Sequence, residues 1–218
     1  ESLTPFLTVA RILKERTLSA PDILAVDHEH GFILMEDFGN ALFFDLVEAD
    51  SSLEQTLYGH AIDALHVLWN PSMDLGLAAY GPTEMTQAVH LVEEWYCQDP
   101  AQETVSKSAF QCLEKLDWSE PAIVLRDYHA QNLIWLPDRD GIAKVGQLDF
   151  QDAAIGHKYY DVVSLLFDAR RDVSQATIDH ILHRLRSKDP NQEMFDLSIA
   201  TLSSQRNLRI LGVFARLC

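Results

Sequence analysis

The sequence predicts an α+β fold, and three observations carry that reading. Short apolar runs of strand length fall in two separate groups, residues 23–26 with 32–35, and residues 122–125, 133–136 and 143–148. The segments around them repeat apolar residues every three or four positions, the spacing of amphipathic helices. Strands and helices are therefore segregated along the chain instead of alternating, which argues against a doubly wound parallel sheet.

Each element has its own local reason. Thr4-Pro5 reads as an N-cap followed by proline at the first helical position, and Phe6, Val9, Ala10 and Leu13 continue a helix that ends near Thr17. The polar turn at residues 27–31 joins the first two apolar runs into a β-hairpin. Residues 36–40 break that pattern. Leu53, Leu57, Ala61, Ala64, Leu65 and Leu68 share one face of a helix that closes near Asn70-Pro71. Gly81-Pro82-Thr83 punctuates the chain, with Thr83 expected to cap a helix to about Tyr96, and a further helix fits residues 106–116. Turn residues 137–141 separate the last two apolar runs. From about Tyr159 the pattern is helical to Leu217-Cys218, where it stops without a cap or a breaker.

Composition narrows the function classes. The chain of 218 residues carries 33 acidic against 17 basic side chains, a formal net charge of −16. Nucleic-acid binders concentrate basic charge, so a nucleic-acid partner is not expected. Such a surface attracts cations, and ATP would enter it with Mg2+ and local basic groups. Three cysteines, Cys97, Cys112 and Cys218, form no Cys-x-x-Cys pair and read as reduced thiols of a cytoplasmic protein. No apolar run approaches the roughly 20 residues of a membrane span, so no membrane partner is expected.

The chemistry is concentrated in three short segments. In Leu125-Arg126-Asp127-Tyr128-His129-Ala130-Gln131-Asn132, a loop between two expected strands of a short hairpin, Asp127 and Asn132 stand at the spacing Arg-Asp-x-x-x-x-Asn of a kinase catalytic loop. The aspartate of such a loop must reach an acceptor hydroxyl, and the asparagine a metal on the nucleotide phosphates. At the end of the next apolar strand stands Asp149-Phe150-Gln151, where a carboxylate can bridge Mg2+ to the β- and γ-phosphates. Gly156-His157-Lys158-Tyr159-Tyr160-Asp161 then opens an apolar helix. The order and spacing of all three are far more specific than any one.

The stretches VLRDYHAQNLIW and VGQLDFQDAAIGHKYYDVVSLLFDARRDV resemble the aminoglycoside phosphotransferase family, and within it the bacterial kinases that phosphorylate the anomeric hydroxyl of N-acetylmuramate and N-acetylglucosamine. LSAPDILAVDHEHGFILMEDFG and QRNLRILGVFARLC resemble the end of that family's small lobe and part of its helical lobe. The resemblance implies a protein-kinase-like bilobal fold. Residues 1–37 are expected to be the remainder of the N-terminal nucleotide-binding lobe, and residues 38–218 a mainly helical C-terminal lobe with the acceptor pocket. It implies that Asp127 is the catalytic base, that Asn132 and Asp149 bind Mg2+, and that the backbone of Glu36 and Phe38 binds the adenine of ATP. Arg126, His129 and Asp161 are implied to support the loop, Asp161 by accepting backbone N–H bonds. Leu125 stands where the family's loop has histidine, and no Gly-rich loop or strand lysine precedes the first helix. The sequence is therefore expected to be a portion of a longer enzyme. The acceptor is a small molecule with a hydroxyl group, an amino sugar or an aminoglycoside. A kinase for choline or homoserine and a non-catalytic kinase-like binding module stand as alternatives.

Other conspicuous residues have plainer readings. His180 and His183 are spaced for one helix face without a third ligand and are read as solvated. Trp95 and Tyr96 are assigned to core packing, Glu93 and Glu94 to a solvated helix face, and Arg170-Arg171 to surface charge. His157 is read as supporting the loop or facing solvent.

Overall fold

The computed structural model describes residues 2–69, 75–97 and 104–217. Helix α1 (Thr4–Glu15) buries Val9, Ala10, Ile12 and Leu13, the face its apolar spacing dictates. Its N-cap position is Leu3, with Thr4 already inside the helix. Strands β1 (Ile23–Asp27) and β2 (Phe32–Met35) form the antiparallel hairpin expected from the sequence, with Asp27 opposite Phe32. Helices α2 (Phe43–Ala49) and α3 (Glu54–Leu65) follow, and α2 had no signal in the sequence reading. Tyr58, Ala61, Ile62 and Ala64 of α3 are fully buried and lie at the centre of the core. The expected helix end at Asn70-Pro71 lies outside the described residues, as does Cys218.

Helix α4 (Pro82–Trp95) begins one residue before Thr83, because Pro82 occupies its first turn and Gly81 its N-cap position. The Gly81 N–H donates to Glu84 Oε2 at 2.9 Å, so a side chain reaching back caps this end instead of Thr83. Helix α5 (Thr104–Leu113) packs beside it. Glu93 is buried, not solvated, and its Oε1 accepts the Ser106 N–H of α5 at 2.8 Å. Trp95 and Tyr96 are exposed, because α4 ends there with their side chains beyond the packed face.

The short strands build two further sheets. Strand β4 (Pro121–Val124) pairs antiparallel with β7 (Ala154–His157), which in turn pairs parallel with β3 (Ala79–Tyr80). Strands β5 (Leu133–Trp135) and β6 (Val145–Gln147) form a separate antiparallel pair. The hairpin expected around the catalytic loop is thus corrected: β4 and β5 belong to different sheets, and the loop crosses between them. Gly156 permits this arrangement, since a Cβ there would come within 2.9 Å of Val124 and 3.2 Å of the Tyr80 carbonyl oxygen.

Helices α6 (Tyr160–Leu166), α7 (Gln175–Arg186) and α8 (Gln192–Leu217) complete the chain. Arg171 is no surface charge. Its Nη1 lies 2.9 Å from Glu54 Oε2 and donates to the Tyr58 hydroxyl at 2.8 Å, and the Ser174 N–H at the start of α7 donates to the same carboxylate at 3.1 Å. This buried ion pair, whose carboxylate also accepts from Ser174, ties the start of α7 to α3, with Arg171 Nε left without a partner.

His157 is also buried, contrary to a solvent-facing role. Its ring meets Trp118 edge-on at 5.3 Å, and its Nδ1 accepts the Tyr159 N–H at 3.2 Å. Burial first, and Lys158 next, hold its pKa down at about 4. The folded state therefore favours the neutral ring, and this stability is complete above pH 6.5 and lost as pH falls toward 4. About 3 kcal/mol should disappear over that window. Urea unfolding across pH 4–7 measures it, and His157→Asn, which keeps an acceptor for Tyr159, should flatten the slope. An unchanged slope would assign the acid lability to other groups.

Candidate active site

The site is assembled where the loop between β4 and β5 meets the end of β6. Asp161, in the first turn of α6, is 2% exposed, and its two oxygens accept the N–H groups of Leu125 at 2.6 Å and Arg126 at 3.0 Å. Burial pushes its pKa up to about 7 against the pull of those two bonds. Arg126 is held in the left-handed region at φ 70°, a conformation that costs a non-glycine residue about 1–3 kcal/mol and persists only when its surroundings impose it. Tyr128 anchors the other side of the turn by donating from its hydroxyl to the Ala61 carbonyl of α3 at 2.8 Å.

This frame presents Asp127 half-buried, with its main chain engaged and its carboxylate in no hydrogen bond among the described residues. Asn132 closes the loop. Its Nδ2 donates to the Asp127 carbonyl oxygen at 2.9 Å, to His129 Nε2 at 3.2 Å and toward Asp149 Oδ2 at 3.4 Å. Three acceptors around one nitrogen fix the amide orientation and leave Oδ1 available. His129 is buried, and burial lowers its pKa, so it accepts from Asn132 as a neutral ring.

Asp149 follows β6 and is exposed, with φ 54° in the left-handed region. Gln151 Nε2 donates to its Oδ1 at 2.6 Å, and Phe150 stacks on Phe6 of α1 at 4.8 Å, which sets the strand end against the first helix. The structure thus brings Asp127, Asn132 and Asp149 together, with Arg126, His129 and Asp161 behind them. Two oxygen-bearing side chains beside each other fit a hard cation that keeps waters and takes its remaining ligands from phosphates. No group of three or more His, Cys, Asp or Glu that could hold a metal ion occurs among the described residues.

Glu36 and Phe38 lie on the other side of β5 and β6. The Glu36 N–H donates to the Asp22 carbonyl at 2.8 Å, and its carboxylate pairs with Arg139 at 2.5 Å. The Arg139 guanidinium sits 4.8 Å from the centre of the Phe38 ring, which packs against Gly146. Sequence reasoning missed the arginines around the loop. Arg206 and Arg209, one turn apart on α8, approach it from the C-terminal side: Arg206 donates to the Phe167 carbonyl at 3.3 Å, and Arg209 to the Tyr160 hydroxyl at 3.5 Å. Their i, i+3 spacing was the available signal.

No helix among the described residues is long and apolar enough to cross a membrane. The N-acetylmuramate/N-acetylglucosamine kinase of Caulobacter vibrioides is 36% identical over 233 residues, covering 97% of this chain and 63% of that protein. The chain therefore spans under two thirds of that relative's length. The enzyme of the same name from Pseudomonas putida is 29% identical, covering 100% of this chain and 67% of its own. Among solved structures, the amicoumacin kinase hAmiN in complex with AMP-PNP and Ca2+ superposes with a TM-score of 0.70 at 17% identity, over 100% of this chain and 72% of that one. A choline/ethanolamine kinase family protein from Mesorhizobium loti does so at 0.68 and 12% identity, over 97% and 71%. These likenesses show the protein-kinase-like α+β fold. A family model described as the phosphotransferase enzyme family, APH, matches residues 1–194, and the chain belongs to that family.

Proposed function

We propose that the protein transfers the γ-phosphate of ATP, in the presence of Mg2+, to a hydroxyl of a small amino sugar of the N-acetylmuramate or N-acetylglucosamine type. The observation that carries this is the unengaged Asp127 carboxylate, held on a strained loop beside the Asn132–Asp149 pair. Asp127 orients the acceptor hydroxyl and takes its proton as the new oxygen–phosphorus bond forms and the β–γ bridge breaks to leave ADP. Asn132 Oδ1 and the Asp149 carboxylate would hold Mg2+, which would supply neutralisation of charge on the phosphate oxygens. Asp161, Arg126 and His129 keep that geometry. Residues 1–37 act as nucleotide-lobe structure and residues 38–218 as the acceptor lobe. The Glu36 N–H is occupied, so the carbonyl of Glu36 and the N–H of Phe38 are the groups offered to adenine.

The names of the relatives support an amino-sugar acceptor over choline or an aminoglycoside. An ADP-release assay on the full-length protein with Mg-ATP, across N-acetylmuramate, N-acetylglucosamine, kanamycin, choline and homoserine, tests both halves. Release dependent on either amino sugar is expected. Release with another acceptor alone would refute the sugar assignment, and binding of Mg-ATP without release on any acceptor would favour a non-catalytic module.

A further inference from the structure

The two carboxylate oxygens of Asp149 have unequal surroundings. Gln151 Nε2 donates to Oδ1 at 2.6 Å, short for an amide donor, whereas Asn132 Nδ2 lies 3.4 Å from Oδ2, near the limit of a hydrogen bond. Oδ1 is engaged, and Oδ2 is the oxygen left open beside Asn132. The side chain that makes this difference has no counterpart in the Asp-Phe-Gly pattern of protein kinases, whose third residue is glycine. Here that position is Gln151, half-buried on the turn between β6 and β7.

That turn is fixed from three directions. Phe150 is fully buried and stacks on Phe6 of α1. The Ala153 N–H donates to the Phe150 carbonyl at 3.1 Å. Arg126, whose guanidinium stands 4.7 Å from the centre of the Tyr80 ring, donates from Nη1 to the Asp152 carbonyl at 3.3 Å and so ties the turn to the loop that carries Asp127. Gln151 sits between these anchors, and its amide can hold the Asp149 carboxylate instead of following it. The number of oxygens that a carboxylate offers matters to a divalent cation. Ca2+ takes carboxylates through one oxygen or both in flexible arrangements, whereas Mg2+ demands near-octahedral geometry and keeps several waters. A carboxylate with one oxygen engaged suits Mg2+ and denies Ca2+ its two-oxygen mode.

We propose that Gln151 is a positioning residue that reserves one oxygen of Asp149 for the metal ion of the nucleotide and so favours Mg2+ over Ca2+. This rests on the metal-binding roles proposed above for Asn132 and Asp149. Gln151 acts through the aspartate, as hydrogen-bond partners that orient metal ligands do.

The experiment measures divalent-ion affinity on the full-length protein, held in excess over a non-hydrolysable ATP analogue. Bound Mn2+ is read by electron paramagnetic resonance, and Mg2+ and Ca2+ are titrated against it as competitors. The wild type should bind Mg2+ more tightly than Ca2+. Gln151→Met, of similar length but without a donor, should lower the Mg2+-to-Ca2+ affinity ratio about 10-fold, the lower end of what losing a partner to a metal ligand costs. Gln151→Glu should lower it at least as far, since a carboxylate there repels Asp149 and offers Ca2+ further oxygens. If Gln151→Met does not fold, Gln151→Glu, which keeps the side chain polar, carries the test. An unchanged ratio overturns the role of Gln151 even where urea unfolding shows a less stable protein, because a purely structural side chain shifts stability and leaves ion preference alone. A wild type that binds Mn2+ no more tightly than Asp149→Asn sinks the metal-binding roles and the proposal with them, whereas tighter binding by the wild type with an unchanged ratio in the Gln151 variants sinks the proposal alone.

Discussion

Asp127→Asn should lower acceptor-dependent ADP release by roughly 10²–10⁴-fold, the range typical of losing a positioned general base. The substitution removes the carboxylate proposed as the proton acceptor while preserving shape. Little stability should go with it. The Asp127 carboxylate makes no hydrogen bond among the described residues, and the fold holds this residue through its N–H, 2.9 Å from the Leu125 carbonyl, and its own carbonyl on Asn132. The measurement is kcat alongside urea unfolding of the same protein. Activity near that of the wild type would remove Asp127 from the reaction. A large stability loss would make it a structural residue instead.

Asp161→Asn should act the other way, through stability and geometry together. Both carboxylate oxygens of Asp161 are occupied by loop N–H groups, and asparagine offers one oxygen and one NH2. One buried N–H then faces another donor, at a cost of about 1–3 kcal/mol. Part of that is offset, because removing the carboxylate also removes the burial penalty that pushes its pKa up to about 7. The loop has a stronger reason to move. Arg126 at φ 70° relaxes once its N–H loses the acceptor that holds it there. The expected result is a stability loss of about 1–3 kcal/mol in urea with a fall in kcat of at least about 100-fold, larger than the stability loss explains. Full activity in a merely less stable protein would show that the loop keeps its shape without Asp161.

The segment proposed as catalytic was legible in the sequence because the chemistry proposed for it depends on side-chain identity at fixed spacing. Asp127, Asn132, Asp149 and Asp161 stand at positions where chemistry allows few substitutes, and the structure brings all four to one place. The segments that escaped notice depend on pairing between distant parts of the chain. Strand β7 holds Ala154, Ile155, Gly156 and His157, with no alternation to mark it, and exists because β3 and β4 flank it. Strand β3 is two residues long. The hairpin misreading had the same origin: β4 and β5 are neighbours in sequence, but their hydrogen-bonding partners lie downstream at β7 and β6. Glu93 looked solvated because a helix-face pattern cannot reveal that the first turn of α5 brings an N–H to its carboxylate. Arg209 was hidden in the same sense, since only the fold brings its guanidinium to the Tyr160 hydroxyl from a distant stretch of chain.

The crossing of the catalytic loop between two sheets has a consequence for how such a protein can change over generations. Asp127 hangs from β4, β7 and Asp161, while Asn132 and Asp149 are mounted on β5 and β6. Asn132 links the two mountings, its side chain at the Asp127 carbonyl and at His129 and its N–H at the His129 carbonyl. Replacements around β3, β7 and α8 can therefore reshape the surroundings of Asp127 without disturbing the support of Asn132 and Asp149, the pair proposed to hold the metal. On the proposed roles, a lineage built this way can exchange one hydroxyl compound for another by small steps, with the residues proposed to hold metal and nucleotide left in place.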